Sequence, residues 1–254
     1  MIKGLYTAAS GMLAAKTQSE VIADNVANLR TPGYKVEVSS NKAFPELLMS
    51  RIRTENEGIG PTPDRTIIGA MGTGVVVDEI TRMNYPGALQ STERPTDLAI
   101  TSEGYFVVQT PNGERLTRNG QFQLDALGIL QTPDGYPVLG QGGVIGPLSK
   151  DFTVDSYGVI RDNGEYVDQL RLVQAELNDL IREGQSLFNP QGPVQEFNGD
   201  GGIRQGFIES SNVDLTGQMV KMITVMRAYE ANQKVIQTQD ATLEKAVNEI
   251  GRLV

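Results

Sequence analysis

Apolar residues recur at alternating three- and four-residue steps at both ends of the chain, a spacing that places them on one face of a helix. At the N-terminal end Leu5, Ala8, Met12, Ala15, Ser19, Ile22, Val26 and Leu29 keep that rhythm. At the C-terminal end it runs through Leu215, Met219, Met222, Met226, Tyr229, Gln233, Ile236, Asp240, Leu243, Val247, Ile250 and Val254. Polar Gln233 and Asp240 interrupt this second seam, and polar residues at seam positions fix register at a cost in stability. Met219, Met222 and Met226 form an adaptable packing stripe. A narrow seam stays partly uncovered until another helix packs on it, so two such ends predict a chain that assembles.

Between the two ends the pattern changes. The first helix should stop at Arg30-Thr31-Pro32-Gly33, because the residue before proline is pushed out of the α region and glycine supports the turn. Tyr34 to Phe44 is mixed, and Pro45 to Arg53 reads as a further helical turn. Thr54 to Gly74 is dense in Gly and Pro and reads as an extended connector. From Val75 onward the pattern is that of short strands, and runs such as Tyr105 to Gln109 and Arg115 to Arg118 are separated by turn signals. Pro111-Asn112-Gly113 and Pro133-Asp134-Gly135 are two of them. This predicts an antiparallel sandwich or irregular barrel. Glu176 to Glu183 reads as one short helix within it, and Asp214 as the cap of the terminal helix.

The predicted fold class is therefore α+β, with N- and C-terminal helices pairing as a coiled coil and enclosing a central irregular antiparallel all-β domain. The expected organisation has four parts. Residues 1–45 carry the first helix and its following segment, and 46–74 are an extended connector. Residues 75–206 form the β domain, and 207–254 the second helix, which completes a discontinuous assembly domain.

Composition narrows the chemistry. The net charge of -9, without a basic patch interleaved with aromatics, argues against a nucleic-acid partner. The chain has no cysteine and no histidine, which removes disulfides, thiolate or imidazole metal sites, Ser-His-Asp triads and Cys-His pairs. No metal or other cofactor is expected. Paired carboxylates remain as a route to glycoside hydrolysis. With aromatic residues at only 6% and no Trp, the chain has few platforms for a sugar, and the acids read as solvated surface. Lys3 followed by Gly4 to Ala15 superficially resembles a secretory signal. Its helical rhythm continues through Lys16 and Glu20 to Leu29, so it reads as a retained helix. No stretch approaches the roughly 20 apolar residues that span a bilayer.

Several blocks carry a family resemblance. Leu5-Tyr6-Thr7-Ala8-Ala9-Ser10-Gly11-Met12, Ala23-Asp24-Asn25-Val26-Ala27-Asn28 and Thr31-Pro32-Gly33-Tyr34-Lys35 resemble the N-terminal signature of bacterial flagellar rod and hook proteins. Glu103 to Val108, Thr117-Arg118-Asn119-Gly120-Gln121-Phe122 and Gly135 to Leu139 resemble β-domain blocks of the proximal and distal rod proteins. Gln205-Gly206, Glu209-Ser210-Ser211-Asn212-Val213 and Arg227 to Lys234 resemble the family's C-terminal block. Asp24 stands where the family more often has Asn, and Leu29-Arg30 replaces a small polar pair.

The resemblance implies a non-enzymatic building block that polymerises into the axial structure of the basal body, outside the cytoplasmic membrane. It implies export through the flagellar type III apparatus without a cleaved signal, and partners that are copies of itself and other rod and hook proteins. The expected assembly interface comprises Leu5, Met12, Ile22, Asn25, Val26, Asn28, Leu29, Met219, Met222, Met226, Arg227, Tyr229, Ile236, Leu243, Val247 and Ile250. Asn25 and Asn28, three apart on one helical face, are placed to bond to another helix. The readings from other classes are a coiled-coil surface adhesin or binding module, and a carboxylate-dependent glycosidase.

Overall fold

A 26-residue helix, α1 (Ile2–Ala27), opens the chain, and a 36-residue helix, α2 (Leu215–Ile250), closes it. The computed structural model describes residues 2–44, 46–53, 64–176, 179–184, 186–197 and 202–250. Both helices are built largely from good helix formers without internal proline. α1 ends as expected: Leu29 N–H donates to Val26 O and Thr31 N–H to Asn28 O, and Gly33 then adopts φ of 71°, the left-handed region glycine tolerates. Among the described residues no helix is long and apolar enough to cross a membrane. The chain is α+β.

The residues divide into two compact units. The first comprises Met1–Asp24, Glu37–Thr81 and Thr216–Val254; the second comprises Asn25–Val36 and Arg82–Leu215.

In the first unit α1 and α2 accompany strands β1 (Glu37–Ala43), β2 (Glu46–Arg53), β3 (Asp64–Gly72) and β4 (Val75–Arg82, whose last residue falls in the second unit). β1 pairs with β4, and β2 pairs antiparallel with β3. Thr7 Oγ1 donates to Thr73 O at 2.7 Å and Val75 N–H donates to Ser10 Oγ at 3.2 Å, so the β3–β4 turn is tied to α1. Glu46–Arg53, expected as a helical turn, is a strand instead. Its Leu47 and Leu48 face Met71 and Ala70, and cross-strand pairing outweighs the helical preference of Leu and Met. Residues 64–72 of the expected connector are its partner strand. Gly69, at φ of 151°, lies where the register shifts between Met49 and Ser50, so glycine there serves a β-bulge. Residues 54–63 lie outside the described residues.

The β-rich second unit begins with β5 (Leu89–Ser91), β6 (Leu98–Ile100), β7 (Tyr105–Thr110), β8 (Gly113–Thr117), β9 (Gln123–Leu124) and β10 (Leu130–Gln131). It continues with β11 (Thr153–Val154), β12 (Val159–Asp162), β13 (Glu165–Gln169), β14 (Leu172–Gln174), β15 (Leu180–Glu183) and β16 (Leu187–Pro190). β17 (Gln195–Glu196), β18 (Ile203–Gln205) and β19 (Phe207–Glu209) complete it. A six-stranded antiparallel sheet has the order β15-β16-β8-β7-β14-β17. Beside it lie the three-stranded β11-β12-β13 and the pairs β9-β10, β6-β18 and β5-β19.

Strand β7 explains why this unit has two layers of core. Phe106 and Val108 enter one apolar cluster with Leu130, Val138, Ile145, Phe152 and Ile160, whereas Tyr105 and Val107 enter another with Leu116, Val173 and Phe188. The period-two alternation of a strand sends neighbours to opposite faces, so a continuous apolar run marks a strand covered on both sides. Edge-to-face contacts fix each layer, Phe106 with Phe122 at 5.1 Å and Tyr105 with Phe188 at 5.7 Å between ring centroids. Leu180–Glu183, expected within a short helix, is strand β15. Leu180 is buried and Ile181 exposed, an alternation that pairs with β16 and leaves no helical face to bury.

Candidate functional site

The two helices of the first unit touch in antiparallel order. Gly4 lies against the Gln239 amide and Gly11 against that of Asn232, and Ser19 Oγ donates to Met222 Sδ at 3.3 Å. On α1 the buried positions are Ala8, Ala14, Ala15, Val21, Ile22 and Asn25. On α2 Gln218 is buried, and Met222, Val225, Asn232, Ile236, Gln239 and Ala246 are half-buried. This covered row shares Ala8, Ala15, Ile22, Met222 and Ile236 with the apolar seams read from spacing. Elsewhere it is displaced by one position, to Gly4 from Leu5, Gly11 from Met12, Val225 from Met226 and Asn232 from Gln233. Glycine removes the side chain at the contact, so backbone approach selects the small row over the apolar one beside it.

The displacement leaves an apolar row uncovered. Met219 is 56%, Ile223 54%, Met226 53% and Val247 70% exposed, and Val220 and Leu243 also face outward. Leu13 and Tyr6 of α1 are exposed as well. Next to this row a groove of about 300 Å³ is lined by Val21 and Ile22 of α1, Val38 of β1, and Val220, Thr224 and Val225 of α2. Of the other interface candidates, Leu5, Met12, Val26, Asn28 and Leu29 are half-buried and Arg227 and Tyr229 are exposed. The side chain of Ile250 is outside the described residues. Asn25 is 1% exposed, and its Oδ1 accepts from the Tyr34 hydroxyl at 3.1 Å within the chain. Asn28 Oδ1 accepts from Thr31 Oγ1 at 3.2 Å.

In the second unit a buried charge cluster joins three distant blocks. Lys35 Nζ meets Glu209 Oε1 at 2.5 Å, and Arg118 Nε meets Glu209 Oε2 at 2.7 Å. Arg118 also donates to the carbonyl oxygens of Gly104, Ile100 and Ser102, and Lys35 to Tyr85 O at 3.2 Å. Gly87 N–H completes the carboxylate's shell at 2.9 Å from Oε1. Burial opposes ionisation of Glu209, but Arg118, Lys35 and the Gly87 amide together outweigh it and hold its carboxyl below the ordinary range. The same burial pulls the Lys35 ammonium below the usual lysine range, because one carboxylate shared with Arg118 only partly offsets desolvation. In the sequence the three residues fall in separate family blocks, and no local pattern places them together. The signal was there in a Lys, an Arg and a Glu, each the single charged residue of its block.

Three family models match in chain order. The model for flagella basal body rod proteins covers residues 5–35, that for the D1 domain of flagellar hook protein FlgE/F/G residues 99–162, and that for the C-terminal region of flagellar basal body rod FlgEFG proteins residues 204–249. The chain is similar to the flagellar hook-basal body complex protein FlhO of Bacillus subtilis, with 36% identity over 100% of both chains. It is also similar to the flagellar basal-body rod protein FlgG of the same organism, with 35% identity over 98% of this chain and 99% of the relative. FlgF of Caulobacter vibrioides shares 31% identity over 100% of both. Their end-to-end agreement, with helices and β unit each matched, means that the chain belongs to the flagellar basal-body rod protein family.

Proposed function

We propose that this protein is a structural subunit of the bacterial flagellar basal-body rod, polymerising through its terminal helices into an axial shaft with copies of itself and with other rod and hook proteins. The observation that carries this reading is the uncovered apolar row Met219, Ile223, Met226 and Val247 on a long regular helix. A monomer gains nothing from keeping such a row in water, while burial of these half-exposed side chains against a neighbouring helix returns on the order of 1 kcal/mol each. In the assembled shaft the helices pair as coiled coils and the β unit supplies lateral contacts. The protein is structural and not enzymatic.

Export through the flagellar type III apparatus, without a cleaved signal, to a site outside the cytoplasmic membrane belongs to the same proposal. It is supported by the family membership. The absence of cysteine leaves no disulfide to reduce before the chain threads a channel. Electron microscopy of purified basal bodies carrying a tagged copy of this chain tests the proposal. Label along the axial rod is expected; label absent from the axis, or confined to the cell surface as an adhesin would be, overturns it.

A further inference from the structure

We propose that Lys35, Arg118 and Glu209 form a three-segment latch that fastens the chain after α1 and the chain before α2 to the β-rich unit, with Glu209 as the member whose arrival closes it. This rests on the geometry of the second unit alone and holds whether or not the chain polymerises.

Each charge comes from a different part of the sequence. Lys35 follows the end of α1, Arg118 lies just after β8, and Glu209 ends β19, 174 residues beyond Lys35 and 91 beyond Arg118. The backbone repeats the convergence. Gly33 N–H donates to Glu209 O at 2.8 Å, Asn212 N–H to Tyr34 O at 3.4 Å, and Val36 N–H to Asn212 Oδ1 at 2.7 Å. Asn212 Nδ2 in turn donates to Met83 O and Tyr85 O. Lys35, Arg118 and Glu209 are each less than a tenth exposed.

Charge counting gives the latch its logic. Two buried cations share one carboxylate, so before Glu209 arrives Lys35 and Arg118 cannot occupy this site together without repelling each other in a poorly solvated place. Glu209 is therefore the closing element. The neutral Glu209–Arg118 pair remains balanced without Lys35, whereas Lys35 and Arg118 are not balanced without Glu209. A cluster that served only as packing would not be asymmetric in this way.

Hydrogen exchange on the full-length chain separates the two cases. Glu209→Gln is expected to speed exchange at the Gly33 and Val36 amides by about 100-fold, while the core amides of Val138 and Leu139 change by less than about ten-fold. Lys35→Met alone should change Gly33 by less than about ten-fold. In the double variant, removing the second cation should restore at least about ten-fold of the protection lost in Glu209→Gln. Should Glu209→Gln lose its core protection as well, the double variant still decides, because it must regain that protection. A double variant as open as Glu209→Gln, or more so, overturns the latch. Pulse labelling during refolding of the unmodified chain tests the closing order. Gly33 and Val36 should become protected together with Ser210 and Asn212; protection of Gly33 and Val36 before that step overturns it.

Discussion

Gly11 of α1 lies directly against Asn232 of α2: a β-carbon built on Gly11 would stand 2.8 Å from the Asn232 amide nitrogen. The obstructing atom is the end of a flexible side chain, so a small substituent can displace it and a large one cannot. Gly11→Ala gains about 1 kcal/mol of helix propensity and loses a comparable amount in moving the amide. It should leave the thermal midpoint almost unchanged. Gly11→Leu overfills the contact and should cost about 1 to 3 kcal/mol. Calorimetry on the two variants checks the contrast; equal effects would mean that the helices do not meet here.

Gly33 is the opposite case. Its φ of 71° is strained for any other residue, and a β-carbon there would lie 2.5 Å from the Arg118 backbone oxygen, which cannot swing away. Gly33→Ala should therefore cost more than about 2 kcal/mol, well above the Gly11→Ala effect. Urea unfolding followed by circular dichroism measures it.

Phe106 is fully buried in β7 and packs edge-to-face on Phe122. Phe106→Ala should destabilise the β-rich unit by about 3 to 5 kcal/mol through lost burial and the cavity left behind. Chemical denaturation monitored by core amide exchange reads the loss.

Much of this organisation was legible in the sequence, and what was not has identifiable causes. Helix limits were visible because Thr31-Pro32-Gly33 stops a helix on steric grounds, and β7 was visible as a short strand-like run bounded by turn signals. The contact row on each helix was found only in part, at Ala8, Ala15, Ile22, Met222 and Ile236, because apolar spacing finds where greasy side chains lie. The observed contact runs through Gly4 and Gly11, whose value is the absence of a side chain. Strand β2 was misread as helical because Leu and Met suit both states, and only its antiparallel partner decides between them. The Lys35–Arg118–Glu209 convergence depends on pairings between residues as much as 174 positions apart. Local patterning carries no record of such pairings.

The charge cluster predicts how stability follows pH. Glu209 ionises more readily in the folded chain than at its ordinary value of 4.5. Below 4.5 the unfolded chain therefore binds a proton that the folded chain does not, and stability should fall as pH drops through that window toward the lowered folded value. Lys35 is also lowered from 10.5, so its contribution should improve as pH rises from its folded value toward 10.5. Urea titrations across acid pH should show a shallower loss in Glu209→Gln than in the unmodified chain. Equal slopes would contradict the assignment.

The outward row on α2 is the central claim, and Met219 and Met226 are its most accessible members, at 56% and 53% exposed. Neither lies in the row that meets α1, so charging both positions should spare the monomer while blocking any helix that would cover them. The most direct measurement is recovery of the Met219→Glu, Met226→Glu double variant in purified basal bodies, alongside circular dichroism of the free chain. A folded, helical chain that is lost from the basal body is the predicted result. Incorporation equal to that of the unmodified chain would contradict the assignment of this face to assembly.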